Sequence, residues 1–298
     1  MVSILQTALE LGLISSLTVL ALFLSYSMLN VCDLSTDGCF TLGAAVGAVV
    51  AIAGHPYLSI PAAMCAGVLS GFVTALLQTK MGIDSLLAGI IVNTGLYSVN
   101  IAVMGGASLL NMNKTETVFT KLKDAGVGPY KTAVALLAVV LVIVFLTLFL
   151  RTRLGLAIRA TGDNPDMVRS SSINPAFTTI VGLCVANAFT ALSGCLLAQS
   201  QKSVNIDIGG GMVTIALASL LIGRAFAPRG GIALRAVGAV LGAIVFRLVY
   251  AVALRFNMPA FMLKLVSSVI VIIAIAGPYL KSRYPELHRR LTHGKGGA

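Results

Sequence analysis

Long apolar stretches, separated by short polar segments, run along almost the whole chain of 298 residues. About 20 consecutive apolar residues are needed to cross the hydrocarbon core of a bilayer as a helix. Nine stretches approach or exceed that length, which indicates a protein that crosses a membrane many times. The predicted spans are 4–29, 38–54, 57–78, 84–105, 131–150, 174–198, 210–224, 231–254 and 260–280.

Two of these spans, 38–54 and 210–224, are short and rich in glycine. Interrupted segments are tolerated in a membrane where they are buried in protein or line a cavity, so either span could be broken or re-entrant. Glycines at four-residue spacing let helix backbones approach closely. Such pairs occur at Gly43/Gly47, Gly67/Gly71 and Gly238/Gly242. The chain is therefore predicted to be all-α, a single polytopic helix bundle over 1–298 with about nine spans (8–10).

Composition supports this class and excludes several others. The chain is 57% hydrophobic and 10% charged, with a mean hydropathy of +0.96, whereas soluble domains carry about 25% charged residues. The net charge of +11 would suggest nucleic-acid binding in a soluble protein, but there is no tryptophan and no aromatic-basic cluster. The five cysteines lack metal-ligand spacing, so we expect no metal site.

The distribution of lysine and arginine predicts the orientation. Most of them fall at Lys80, in 151–169, in 224–235 and in the basic tail 281–298. Cytoplasmic loops of membrane proteins carry this excess of positive charge. The N-terminus is therefore expected outside and the C-terminus inside a bacterial cytoplasmic (inner) membrane.

The stretch 151–174 is too long for a simple turn and too polar to span. Asn164 is a good helix N-cap, Pro165 is favoured at the first helical position, and Asp166 suits the positive helix end. Gly162 is expected to give a sharp turn just before. These residues predict a short cytoplasmic helix from Pro165 to about residue 172, although a plain amphipathic connector remains an alternative.

Motifs in this stretch carry a family resemblance: Gly155-Leu-Ala-Ile-Arg-Ala160, Gly162-Asp-Asn-Pro165 and Ser172-Ile-Asn174. Two further stretches add to it: 87–100, and Val204-Asn-Ile206 followed by Leu217-Ala-Ser-Leu-Leu-Ile-Gly223. Together they resemble permease subunits of type II ABC importers that handle branched-chain amino acids, ribose-type sugars and nucleosides. The narrower branch that they are similar to is usually described as tryptophan/tyrosine-type permeases.

The resemblance implies a division of labour between subunits. Two permease subunits, expected to be a homodimer, form the pore; two cytosolic ATPases bind below, and an extracytoplasmic binding protein delivers substrate. The phosphate-binding motif G-x-x-x-x-G-K-[ST] is absent from the chain. ATP and magnesium are therefore expected on the partner ATPase, and this chain is not expected to be an enzyme. The residues that the resemblance assigns to ATPase coupling are Arg159, Gly162, Asp163, Asn164, Pro165, Asp166 and Arg169.

Polar side chains in the fourth span suggest where substrate passes. Asn93, Tyr97 and Asn100 fall on one side of a helix, with Thr94 close by. They could line the substrate pathway, or they could hydrogen-bond neighbouring helices. Arg247 in the eighth span could attract a substrate carboxylate, or its long stem could carry the charge to the interface.

Other polar residues leave alternatives open. Lys264, near the outer end of the ninth span, is better explained by snorkelling than by a role in the pathway. Asp33 and Asp37 are favoured as loop charges of the first cytoplasmic hairpin, although they could cap a broken second span. The segment 199–211 could be an outer gate, a docking surface for the binding protein or a plain turn.

Two other functional classes compete with the ABC permease. A secondary transporter or channel would often carry ionisable groups for ion coupling, and the spans lack a central acidic residue, apart from Asp84 at an edge. A membrane enzyme would need a catalytic set that the sequence does not offer. By resemblance the cargo is expected to be an aromatic amino acid first and a branched-chain one second, with nucleosides or sugars as alternatives.

Overall fold

The computed structural model describes residues 2–124, 130–227 and 230–255, together with the isolated positions 265, 268, 269 and 272. The α-helices are α1 Val2–Leu22, α2 Thr36–Ile52, α3 Ser59–Thr79, α4 Ser85–Val103, α5 Val118–Asp124, α6 Tyr130–Arg151, α7 Arg153–Asp163, α8 Pro165–Ser170, α9 Pro175–Gln201, α10 Met212–Phe226 and α11 Ile232–Arg255. A π-helical segment, Phe23–Met28, continues α1, and the two strands are β1 Leu109–Asn111 and β2 Ser203–Asn205.

Six of the described helices are long and apolar enough to span a membrane, rather than the nine that the sequence predicts. They are Leu5–Met28, Ser59–Thr79, Ser85–Val103, Tyr130–Arg151, Pro175–Gln201 and Ile232–Ala253. Two further apolar helices, α2 and α10, are shorter, which confirms that the spans predicted at 38–54 and 210–224 are short. The ninth predicted span, with Lys264, and the basic tail lie outside the described residues, apart from the isolated positions.

Helix α9 packs against both α2 and α3, and glycines make this close packing possible. A Cβ atom on Gly43 would collide with the backbone of Ala191, and one on Gly47 would collide with the Cys195 side chain. The predicted role of this glycine pair in close helix packing is confirmed.

The other two predicted glycine pairs behave in the same way. Gly67 and Gly71 of α3 lie against the α9 backbone. Gly238 and Gly242 of α11 lie against the backbone of α10 around Gly223. The bundle is thus assembled through three helix contacts at which a larger side chain has no room.

Polar side chains of α9 tie it to its neighbours. Ser193 Oγ donates to the Ile14 carbonyl of α1 at 2.7 Å, and Gln199 Nε2 donates to Ser59 Oγ of α3 at 2.6 Å. The other Gln199 amide atom, Oε1, accepts from the Val118 backbone N–H at 3.0 Å. Buried polar groups need such partners in an apolar environment, so these contacts fix the position of α9.

The strands form a small antiparallel pair that the all-α prediction does not include. Leu110 lies opposite Val204, and the pair joins the two loops that the sequence places outside, between the fourth and fifth spans and after the sixth. These two loops therefore lie at the same end of the bundle.

Candidate functional site

The chain between the π-helical segment and α2 enters the bundle instead of forming a solvated loop. Asp33 is only 2% exposed, and its Oδ2 accepts a hydrogen bond of 2.8 Å from Asn187 Nδ2. Its Oδ1 accepts from the Ser35 backbone N–H at 2.8 Å. Because Asn187 lies near the middle of α9, α2 begins beside the middle of that helix. The favoured interpretation of Asp33 as a loop charge was wrong.

Asp37 joins the N-termini of two short helices. It lies in the first turn of α2, and its carboxylate accepts from the backbone N–H groups of Gly211 at 2.9 Å and Val213 at 2.8 Å. These N–H groups belong to the start of α10, where backbone donors lack partners within the helix and negative charge is stabilising. Asp37 is therefore not a loop charge: it caps a short apolar helix, but that helix is α10 rather than its own α2.

The segment that precedes α10 packs against the same point. A Cβ atom on Gly209 would collide with the Asp37 carbonyl oxygen, and Gly211 has a φ of +87°, which a glycine adopts without strain. Gly209 thus allows this segment to approach α2 closely, and Gly211 allows the turn before α10. The segment 206–211 runs from β2 to the point where α2 and α10 begin.

A cavity of about 330 Å³ opens between the start of α2, one face of α4 and the segment 206–210; we call it the polar cavity. It is lined by Asp37, Gly38, Thr41, Asn93, Thr94, Tyr97, Asn100, Ile206, Asp207 and Gly210. The four residues of α4 that the sequence suggests for the substrate pathway all line it. The sequence interpretation did not include Asp37, Thr41 and Asp207, because their proximity to α4 depends on distant parts of the chain.

One buried side chain of the cavity lining, that of Asn100, has a hydrogen-bond partner for only one of its two polar atoms among the described residues. Asn100 is 1% exposed, and its Nδ2 donates to the Gly38 carbonyl at 3.1 Å. Its Oδ1 has no hydrogen-bond partner among the described residues. Tyr97, one turn away on the same helix, is 52% exposed.

Arg247 lies against α1 and not in the polar cavity. Its guanidinium Nε donates to Ser15 Oγ of α1 at 3.4 Å, and the group is 5.9 Å from the ring centroid of Tyr250. Arg247 is not among the residues that line the polar cavity. The geometry thus separates this predicted pathway residue from the four on α4.

The predicted helix start at Asn164 is confirmed. Asn164 Oδ1 accepts from the backbone N–H groups of Asp166 and Met167, both at 3.1 Å, and Pro165 occupies the first turn of α8. The helix ends at Ser170. Val168 is 3% exposed and anchors α8 to the bundle, while Met167 is 68% exposed.

Gly162 does not form the predicted turn. It lies inside α7, where a Cβ atom would collide with the carbonyl oxygen of Met28. Glycine is thus needed here because α7 packs against the end of the π-helical segment.

Helix α7 itself was missed by the sequence interpretation. Thr152 caps it by accepting from the Gly155 N–H at 3.2 Å, and Thr161 and Thr178 join it to α9 through a hydroxyl–hydroxyl contact of 2.8 Å. The buried positions Ala157, Ile158 and Thr161 follow the helical period, a signal that could have revealed it.

The residues assigned to ATPase coupling lie along α7, α8 and the residue between them; we call this region the α7–α8 surface. Arg159 and Gly162 are partly buried, whereas the others are exposed: Asp163, Asn164, Pro165, Asp166 and Arg169. Arg169 pairs with Asp166 at 3.8 Å. No group of three or more potential metal ligands occurs in the described residues.

Comparison with known proteins identifies relatives along nearly the whole chain. A tyrosine transport system permease protein of Clostridioides difficile is 30% identical over 266 residues, 89% of this chain and 88% of that protein. The ribose import permease protein RbsC of Escherichia coli is 24% identical over 82% of this chain and 75% of its own. The guanosine ABC transporter permease protein NupQ of Bacillus subtilis is 26% identical over 58% of each chain.

No solved structure matches the chain significantly. The family model described as branched-chain amino acid transport system / permease component matches residues 4–275. That match covers nearly every helix described above, including the polar cavity and the α7–α8 surface. This chain is therefore a multi-pass membrane protein that belongs to the permease-component family of branched-chain amino acid transport systems.

Proposed function

We propose that this chain is the permease subunit of a binding-protein-dependent ABC importer of amino acids in the bacterial cytoplasmic membrane. Aromatic amino acids are the first candidates for its cargo and branched-chain amino acids the second. ATP hydrolysis takes place on a separate ATPase, and the permease alternates between outward and inward access.

The observation that carries this proposal is the α7–α8 surface, which has the properties of a rigid docking element. Helix α8 is capped by Asn164 and anchored by buried Val168, while the neighbouring Met167 side chain projects outward. Helix α7 is held against α9 by the Thr161–Thr178 contact. A movement imposed on α8 would therefore be passed to α9, the helix at the centre of the bundle.

The partners and orientation follow from the same proposal. A second copy of this chain completes the pore, a cytosolic ATPase binds each α8, and a binding protein delivers substrate at the end that carries β1 and β2. The positive-inside distribution supports a cytoplasmic position for α7 and α8, with the N-terminus outside and the C-terminus inside.

The choice of cargo rests on the tyrosine relative, which matches more of this chain at higher identity than the ribose and guanosine relatives do. Nucleosides or sugars are the alternative cargo of the same machinery. An ATP-independent secondary transporter is the alternative from another class.

Uptake into proteoliposomes distinguishes these possibilities. The vesicles hold the permease with its co-expressed ATPase and binding protein, and labelled tryptophan, tyrosine, leucine, a nucleoside and ribose are offered with and without internal ATP. We expect uptake of an amino acid that requires ATP. Uptake that is independent of both ATP and the partners would contradict the proposal.

The double substitution of Asn164→Ala and Pro165→Gly tests the role of α8. It removes two capping hydrogen bonds, which destabilises the helix start by about 1 kcal/mol, and also the rigid first residue. We expect substrate-stimulated ATPase activity to fall towards the basal rate while the permease stays in the membrane. Ser170→Ala, at the other end of the same helix, is the control, and normal stimulation in the double variant would show that α8 is not the coupling element.

A further inference from the structure

We propose that the polar cavity binds the ammonium group of the transported substrate. This inference rests on the proposed function and deepens it, because an ammonium group separates amino acids from neutral sugars. The cavity is lined by Asp37, Asn93, Tyr97, Asn100 and Asp207, among others.

The strongest indication is an unpartnered acceptor on a buried side chain that belongs to the cavity lining. Asn100 Nδ2 faces the Gly38 carbonyl, so the other amide atom must be the oxygen. That oxygen lacks a donor among the described residues although the side chain is 1% exposed. A buried acceptor left unpaired costs about 1–3 kcal/mol, which a ligand N–H group would recover.

The charges of the residues that line the cavity also favour an ammonium group. Asp37 and Asp207 contribute two carboxylates, and no lysine, arginine or histidine is among the described residues that line the cavity. The bonds to Gly211 and Val213 use one site on each Asp37 oxygen, and an ionised carboxylate offers about four. The described lining therefore carries two acidic side chains and no basic one.

A substrate carboxylate would not be favoured at this place. The N-terminus of α10 is the natural anion site there, but its Gly211 and Val213 N–H groups already donate to Asp37. Arg247 lies against α1, away from the cavity. The exposed ring of Tyr97 favours a cation over an anion, since the faces of aromatic rings attract positive charge.

Ligand-observed saturation-transfer NMR on the full permease in nanodiscs tests the inference. Tyramine and 3-(4-hydroxyphenyl)propionate share a ring and a two-carbon chain and differ in carrying an ammonium or a carboxylate group. D-ribose serves as the neutral probe. We expect tyramine to bind at least about ten-fold more tightly than the other two, since hydrogen bonds to a charged group contribute about 1.5–3 kcal/mol.

Substitutions locate the binding site. Asp207→Asn, at an exposed residue, should weaken tyramine binding by about three-fold, the range of an exposed ion pair. Asn100→Leu should weaken it by about ten-fold through loss of the buried acceptor. Glu116→Gln is the matched control: it neutralises an exposed carboxylate of the loop between β1 and α5, outside the cavity lining, and should leave binding unchanged.

The inference is overturned if tyramine fails to bind, if the propionate or ribose binds as tightly, or if Glu116→Gln weakens tyramine binding as much as Asp207→Asn. The uptake assay keeps this result separate from the proposed function. ATP-dependent amino-acid uptake together with no tyramine preference would refute the ammonium site alone. ATP-independent uptake would refute the proposed function whatever the NMR result.

Discussion

Helices α4 and α9 both carry a row of polar side chains, and, apart from Asn100 of α4, which is buried and bonded to α2, the two rows have opposite environments. On α9, Asn187, Ser193 and Gln199 are buried and hydrogen-bonded to other elements. On α4, Thr94 and Tyr97 are exposed and line the polar cavity. A polar stripe on a membrane helix therefore does not by itself distinguish helix packing from a pathway; the neighbouring helices decide.

The difference in environment arises from how closely neighbouring helices approach the backbone of each helix. The glycine pairs of α2 and α3 bring both helices against α9, which leaves its polar groups no water and makes internal partners necessary. On α4, a Cβ atom added to Gly95 would have no atom of another described element within 4 Å. Three pairs of substitutions test this contrast.

The largest effect is expected from Gly43→Leu, which forces a side chain into the backbone of Ala191. Overpacking of this kind costs about 3 kcal/mol or more, so we expect little folded protein and a lowered unfolding midpoint by scanning fluorimetry. Gly95→Leu on α4 is the control and should fold normally. Equal damage from both variants would contradict the contrast.

A smaller effect is expected from Asn187→Leu, which removes the side-chain donor to Oδ2 of the buried Asp33 and leaves only the Ser35 N–H bond to Oδ1. Loss of such a partner costs about 2 kcal/mol, measured as a shift of the unfolding midpoint. Asn93→Leu, which replaces the same residue type on α4, should leave stability nearly unchanged and reduce uptake in the reconstituted importer. A stable but inactive Asn187→Leu variant would reverse the roles of the two rows.

The smallest loss of stability is expected from the removal of single hydroxyl groups. Ser193→Ala removes one helix–helix hydrogen bond, and such bonds in membrane proteins average about 0.6 kcal/mol. Thr94→Ala removes only a bond to the Ile90 carbonyl of the same helix, so its unfolding midpoint should match the parent. Indistinguishable midpoints for the two variants would show that Ser193 contributes no measurable stability.

The sequence was sufficient for features that depend on neighbouring residues. Asn164 with Pro165 started a helix as predicted, and the glycine spacings identified three close helix contacts, because both signals are local. The partners of Asp33 and Asp37 could not be predicted from the sequence, because Asn187 and Gly211 lie 154 and 174 positions further along the chain. The packing of α2 beside the middle of α9, and of the segment 206–211 against the start of α2, brings these groups together.

The glycine contacts of α9 also bear on how such permeases diverge. Substitutions at these contacts would disrupt the bundle, whereas the exposed face of α4 and the exposed Asp207 can vary without moving a helix. Relatives named for tyrosine, guanosine and ribose then need no separate architectures. In this arrangement, a few substitutions around the polar cavity would change its chemistry while the helix contacts stay as they are.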